Sequence, residues 1–215
     1  SLAAPRASYI SYGFASFMRQ MTDYPTMKVD YRETNSRDII RGVSGKAFDL
    51  GIVRFQSLYV PYYQKMLQDE NLESQDLWEF SCNLLMSASH PLAERGDLTY
   101  LDLGDYVELV QGDTKAPSFS FEPEDSPSVS GSSRKIISIY DRGSQFELLR
   151  QLPGAFMWTS PVPYELLNSL SLIQKPCTYP GNLHKDILVY RNGYRMSREE
   201  KELVNCLRRL VSQLS

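Results

Sequence analysis

Apolar residues at Ile10, Phe14, Phe17, Met18 and Met21 recur at helical spacing, with Ser8 where an N-cap belongs, so a helix follows the small, extended residues 1–7. After the turn at Asp23-Tyr24-Pro25, the segment Met27-Lys28-Val29-Asp30-Tyr31 alternates apolar with charged side chains, the period of a half-exposed strand. Asn35 followed by Asp38 resembles a capping box with a shorter carboxylate, and the helix it opens turns Ile39, Ile40 and Val43 inward until Gly45-Lys46-Ala47 ends it. Phe48-Asp49-Leu50-Gly51-Ile52-Val53 is almost continuously apolar, as a strand buried on both faces should be. Three strands alternating with two helices predict a parallel sheet. Residues 59–70 read as a further helix, with Pro61 confined to its first turn.

From Leu77 to Ser87 the pattern is strongly β-like and long for one strand, so we read it as leaving a first lobe and entering a second, stopped by His90-Pro91. A second alternation follows: strands at 106–111, 136–140 and 155–159, helices at 144–152 and 162–168, then an extended return at 170–173 and a last strand at 187–190. The terminal helix carries a capping box, Ser197 to Glu200, and Leu203, Leu207, Leu210 and Leu214 at helical spacing; it should close the first lobe. Between Ala116 and Lys135 lies a Ser- and Pro-rich stretch with turn chemistry.

Composition narrows the function. With 215 residues, 42% hydrophobic and 23% charged, the chain can bury a real core. Its 23 basic against 26 acidic side chains, spread along the sequence, argue against a module that coats nucleic acid. Cys82, Cys177 and Cys206 form no C-x-x-C, which suggests neither a disulfide framework nor a zinc cage and fits a reducing cytoplasm. No apolar run is long enough to span a bilayer and the start lacks a secretory pattern, so no membrane role is expected. The chain opens directly into an extended segment without an initiator Met, and reads as part of something longer, with Ser1 a candidate cloning remnant.

The motifs of several chemistries are missing: the phosphate-cradling and dinucleotide glycine loops, H-E-x-x-H and G-x-S-x-G. Ser132-Ser133-Arg134-Lys135 matches S-x-x-K, but in a Ser-rich loop where chance matches come easily. His90 and His184 are too isolated to suggest a metal pair, and the cysteines read as packing residues. No catalytic residue, metal ligand or cofactor is expected. What remains is polar chemistry at the carboxyl ends of strands, where ligands bind in open αβ sheets. The candidates are Ser8 and Tyr9 after the first strand, Thr34, Asn35 and Ser36 after the second, and Arg54 and Phe55 after the third. The second lobe adds Gly112 and Asp113, then Thr159, Ser160 and Pro161. Plain helix capping explains Asn35 and Ser36 equally well, and Arg54 could be a solvated loop arginine.

Four phrases in order, Glu33-Thr34-Asn35-Ser36, Phe48-Asp49-Leu50-Gly51-Ile52, His90-Pro91-Leu92-Ala93 and Leu188-Val189-Tyr190-Arg191 with Met196-Ser197, resemble the effector-binding domain of LysR-type transcriptional regulators. The resemblance runs over essentially the whole chain. It implies an α/β fold like that of type 2 periplasmic binding proteins: two lobes of mixed, mainly parallel sheet flanked by helices, joined by two crossing strands, with a small molecule held in the cleft. The first lobe would be residues 1–79 plus 177–215 and the second 80–176. The family's winged helix-turn-helix would precede Ser1, so promoter DNA would be met only through that domain. The family's effector contacts fall on the strand-end residues already named.

The chain departs from the family at Leu152-Pro153-Gly154-Ala155-Phe156-Met157-Trp158, where a glycine-rich GxGIAxLP is usual, a change that bears on which ligand the cleft takes. Arg54 and the helix starts favour an anion, Asp113 opposes one, and an amphoteric or neutral ligand stays open. The resemblance further implies a homodimer or tetramer through effector domains. The first helix and second strand of one chain would meet the second lobe of another, near Tyr12 and Tyr24, although partial burial within one chain explains those aromatics as well. The alternatives are a transporter's solute-binding protein and an enzyme of the same fold, such as a prephenate dehydratase-like or deaminase-like lyase.

Overall fold

The structure is a computed structural model that describes residues 1–113, 135–179 and 181–214. The stretch 116–134, including most of the S-x-x-K match, lies outside the described residues. The chain divides into two compact units, Ser1–Phe80 with Leu183–Ser215, and Ser81–Asn182.

The first unit holds β1 (Leu2–Ala4), α1 (Ser8–Gln20), β2 (Tyr31–Glu33), α2 (Ser36–Ser44), β3 (Leu50–Gln56), α3 (Val60–Asp69) and β4 (Leu72–Ser81). After the second unit the chain returns as β10 (Leu183–Arg191) and α6 (Arg198–Leu214). The sheet order is β2-β1-β3-β10-β4, with β1 parallel to β2 and β3, and β10 antiparallel to β3 from His184 opposite Gln56 to Tyr190 opposite Leu50. All seven residues of β3 are buried, as its continuous apolar run requires. Ile39, Ile40 and Val43 of α2 pack there with Phe55, Tyr63 and Val189.

α6 lies against α1 at Gly13, where a Cβ would meet the Leu207 side chain at 2.7 Å, so glycine permits the approach. Two of the three predicted caps form: Asn35 accepts from Asp38 N at 3.0 Å, and Ser197 and Glu200 exchange side-chain bonds to each other's backbone N–H.

Three expectations shift. β2 begins at Tyr31, not Met27, because its partner β1 has only three residues and the register starts at Leu2 opposite Tyr31. Met27 and Val29 stay half exposed and gain no buried face. Ser8 is the first helical residue of α1, and the cap position falls on Ala7. The long β segment is two strands, β4 in the first sheet and β5 (Asn83–Ser87) in the second, broken at Cys82. There the Cys82 backbone leaves the ladder and pairs with Asn182, whose amide accepts from Cys82 N at 3.1 Å and donates to Cys82 O at 2.7 Å.

The second unit contains β5, β6 (Val107–Gln111), β7 (Lys135–Ile139), α4 (Arg142–Gln151), β8 (Ala155–Thr159), α5 (Tyr164–Leu170) and β9 (Leu172–Lys175). Its sheet order is β7-β6-β8-β5-β9, with β6 parallel to β7 and β8, and β5 antiparallel to β8 and β9. Leu85, Leu109, Leu149, Ala155 and Met157 form its core. Both sheets are thus mixed, and helices flank each. His90 turns the chain after β5 by accepting from Leu92 N through Nδ1 at 3.0 Å, which is why His-Pro suits that corner.

Candidate functional site

In the first unit three of the strand-end residues, Tyr9, Ser36 and Arg54, meet in one buried network. Ser8 and Tyr9 form the first turn of α1; Ser36 opens α2; Arg54 lies inside β3, not after it, since that strand runs on to Gln56. The Arg54 guanidinium makes two parallel bonds to Asp186 of β10, Nε to Oδ1 at 2.8 Å and Nη2 to Oδ2 at 2.7 Å. Tyr9 donates its hydroxyl proton to Asp186 Oδ2 at 2.6 Å. Arg54 is 4% exposed and Asp186 0%, so the pair is out of water. The solvated loop arginine is therefore set aside: its charge is matched by a carboxylate across the β3–β10 ladder.

Burial first, and then the Asp186 charge, push the Tyr9 phenol well above its usual range, so Tyr9 stays a donor to that carboxylate. Around the network pack Trp78, edge-on to Tyr9 at 4.9 Å, and Phe80, whose ring lies 4.8 Å from the guanidinium centre. The Ser36 hydroxyl ties α2 to β3 from both sides, donating to Arg54 O at 2.7 Å and accepting from Arg54 N at 3.1 Å.

The remaining first-lobe candidates separate by role. Asn35 commits its amide to Asp38 at the start of α2, so its capping reading is the one the geometry displays. Phe55 stacks on Tyr63 with ring centres 4.3 Å apart and belongs to the core. Thr34 is half-buried, joined to β1 by its backbone N–H to Ala4 O at 2.9 Å. Among the described residues no side chain caps the N-terminus of α1, where Ala7 stands at the cap position.

In the second unit Gly112 and Asp113 follow β6, and Gly112 donates to Ile139 O at 2.9 Å beneath the Tyr140 ring, which a Cβ would strike at 2.4 Å. Thr159 ends β8 half-buried, Ser160 is 1% exposed and Pro161 leads towards α5. Gln174 of β9 binds this turn by three hydrogen bonds, to Thr159, Ser160 and Val162. Asp186, Trp78 and Gln174 were not singled out from the sequence. A single aspartate before the apolar run 187–190 was the only visible mark of the first, and a glutamine in a short return strand carries none.

Among the described residues no three His, Cys, Asp or Glu side chains come together as metal ligands, and no helix is long and apolar enough to cross a membrane. A cavity of about 420 Å³ in the first unit opens beside Leu2 and Leu50, the amino ends of β1 and β3, away from the strand-end residues.

Residues 9–115 match the LysR substrate binding domain, a span that takes in α1 from Tyr9 on, the second and third strand ends and Gly112-Asp113. The chain belongs to the LysR substrate-binding family. It is the ligand-sensing part of a LysR-type regulator. Solved LysR-type domains share the fold over nearly its full length. The effector-binding domain of QuiR in complex with shikimate is 13% identical with TM-score 0.62, covering 99% of this chain and 96% of that one. The regulatory domain of MetR from N. meningitidis is 13% identical with TM-score 0.63, covering 99% and 93%. HinK of Pseudomonas aeruginosa is 14% identical with TM-score 0.65, covering 100% of this chain and 70% of its own. No curated protein sequence matches. The family match favours the LysR regulatory reading over a transporter's solute-binding protein.

Proposed function

We propose that this LysR-type domain binds a small-molecule effector reversibly at the strand-end residues and performs no covalent chemistry on it. In the first lobe these are Ser8, Tyr9 and Thr34 to Ser36, set on the Arg54–Asp186 frame; in the second they are Gly112, Asp113 and Thr159 to Pro161. The observation that carries the reading is the family match, which begins at Tyr9 in the first turn of α1 and spans Thr34 to Ser36 and the Arg54 strand. Arg54 acts there as part of the frame and not as an anion clamp, because its charge is already matched.

Binding favours one of the domain's conformational states and passes to a DNA-binding domain as a population shift, which needs only different affinities for the two states. The domain works as a homodimer in the cytoplasm, meets promoter DNA only through that other domain, and uses no cofactor. A thermal-shift screen of small metabolites tests the core of this. A true effector at about 100 times its Kd stabilises by about 2.7 kcal/mol, and the shift shrinks in Thr34→Ala and in Thr159→Ala. Equal shifts in both variants would remove these residues from the site. Light scattering that finds only a 24.6 kDa species at high concentration would reject the dimer.

A further inference from the structure

The carboxamide of Gln174 fixes which way hydrogen bonds run at the second-lobe edge. Its Oε1 accepts from Val162 N–H at 2.9 Å, and its Nε2 donates to the Ser160 carbonyl at 2.9 Å and to Thr159 Oγ1 at 2.8 Å. Two of these partners can play one role only, since a backbone N–H cannot accept and a carbonyl cannot donate. Turning the amide over would lose both bonds, so its nitrogen is held against Thr159 Oγ1. Thr159 therefore accepts from Gln174, and a hydroxyl that accepts keeps its own proton to give to something else. Next to it, Ser160 Oγ is buried with no hydrogen-bond partner among the described residues.

We propose that Gln174 is a positioning residue that sets Thr159 to read a hydrogen-bond acceptor, so that the effector presents a carbonyl, carboxylate or similar oxygen to this edge and not an ammonium group. The inference rests on the effector-binding reading and adds the polarity of one subsite. First-lobe charge does not substitute for it, because the Arg54 guanidinium is neutralised by Asp186.

Backbone amide spectra of the ¹⁵N-labelled domain test it with small probes: acetate and acetone, which only accept, against methylammonium, which only donates. Acetate or acetone should shift the Thr159, Ser160 and Val162 signals with an affinity roughly tenfold above that of methylammonium. Equal or tighter methylammonium binding overturns the inference. Acceptor probes that move the Thr34 amide and leave 159–162 still overturn it while sparing the effector reading; probes that move neither region count against both.

In Gln174→Met the preference for acceptors should fall towards parity while signals elsewhere keep their positions, a change that a merely structural glutamine would not produce. A folded Gln174→Met that keeps the full preference overturns the role. If that variant does not fold, Thr159 decides: Thr159→Ser should keep the preference and Thr159→Val lose it, and retention in Thr159→Val overturns the proposal.

Discussion

The first lobe takes a full positive and a full negative charge out of water, Arg54 at 4% and Asp186 at 0% exposure, and lets each satisfy the other across adjacent strands. The second lobe buries a carboxyl, Glu108 of β6, which burial raises to about 7, and ties its strand-end turn with the uncharged amide of Gln174. An ion pair of this kind is rigid and expensive to break, whereas a neutral clamp leaves a hydroxyl donor available. The first edge is therefore framed by groups already spoken for, and the second retains directional chemistry.

Breaking the first frame gives the largest effect. Asp186→Ala strands a buried guanidinium and a buried phenol, and urea unfolding should register a loss of about 3–5 kcal/mol. The double replacement Arg54→Met with Asp186→Leu should cost less than either single change to alanine, because it removes both desolvated charges together. Simple additivity of the two positions would show that the pair is not the unit we describe.

Glu108 tests the other half of the contrast. Its folded-state value of about 7 lies above the ordinary 4.5. The native form then holds its proton more tightly than the unfolded chain, so its stability contribution is complete below pH 4.5 and drains away as pH rises through about 7. At about 1.4 kcal/mol per pH unit the loss approaches about 3 kcal/mol above neutrality. Glu108→Gln should match the parent near pH 4 and exceed it at pH 8. Unfolding curves that keep the same separation at both pH values would contradict this origin.

A smaller effect separates the phenol from the ion pair. Tyr9→Phe leaves the bidentate Arg54–Asp186 contact in place and removes one bond to a charged acceptor, a loss of about 2 kcal/mol. Because the Tyr9 proton is held far above its normal range, stability between pH 7 and 9 should not vary through this residue. A tyrosinate absorbance step in that interval that disappears in Tyr9→Phe would refute the assignment.

What the sequence disclosed and withheld follows from how local each signal is. The helix starts at Asn35 and Ser197 and the buried strand at Leu50 to Val53 were legible because capping and burial are written within a few residues. The break at Cys82 was not, because it depends on Asn182, a hundred positions away. Arg54 was noticed as a charge near a strand end, yet its meaning lay in Asp186, 132 positions on and just outside the predicted last strand. Extending that strand back to Leu183 would have set Asp186 opposite Arg54 by register alone. Gln174 carried no signal, since nothing in a four-residue return strand foretells which turn its amide will reach.

The smallest change in stability belongs to Thr159. Its hydroxyl accepts one bond from an amide that keeps the Ser160 carbonyl and Val162 N–H as partners, and the side chain is only half-buried. Thr159→Val should therefore cost about 1 kcal/mol or less by urea unfolding, well below Asp186→Ala. If the second edge is held together by the backbone ends of the Gln174 clamp and Thr159 is there to meet a ligand, the variant keeps its fold and loses effector-induced stabilisation. A stability loss as large as that of Tyr9→Phe would instead make Thr159 part of the frame, and the two lobes would then differ in charge but not in how their edges are built.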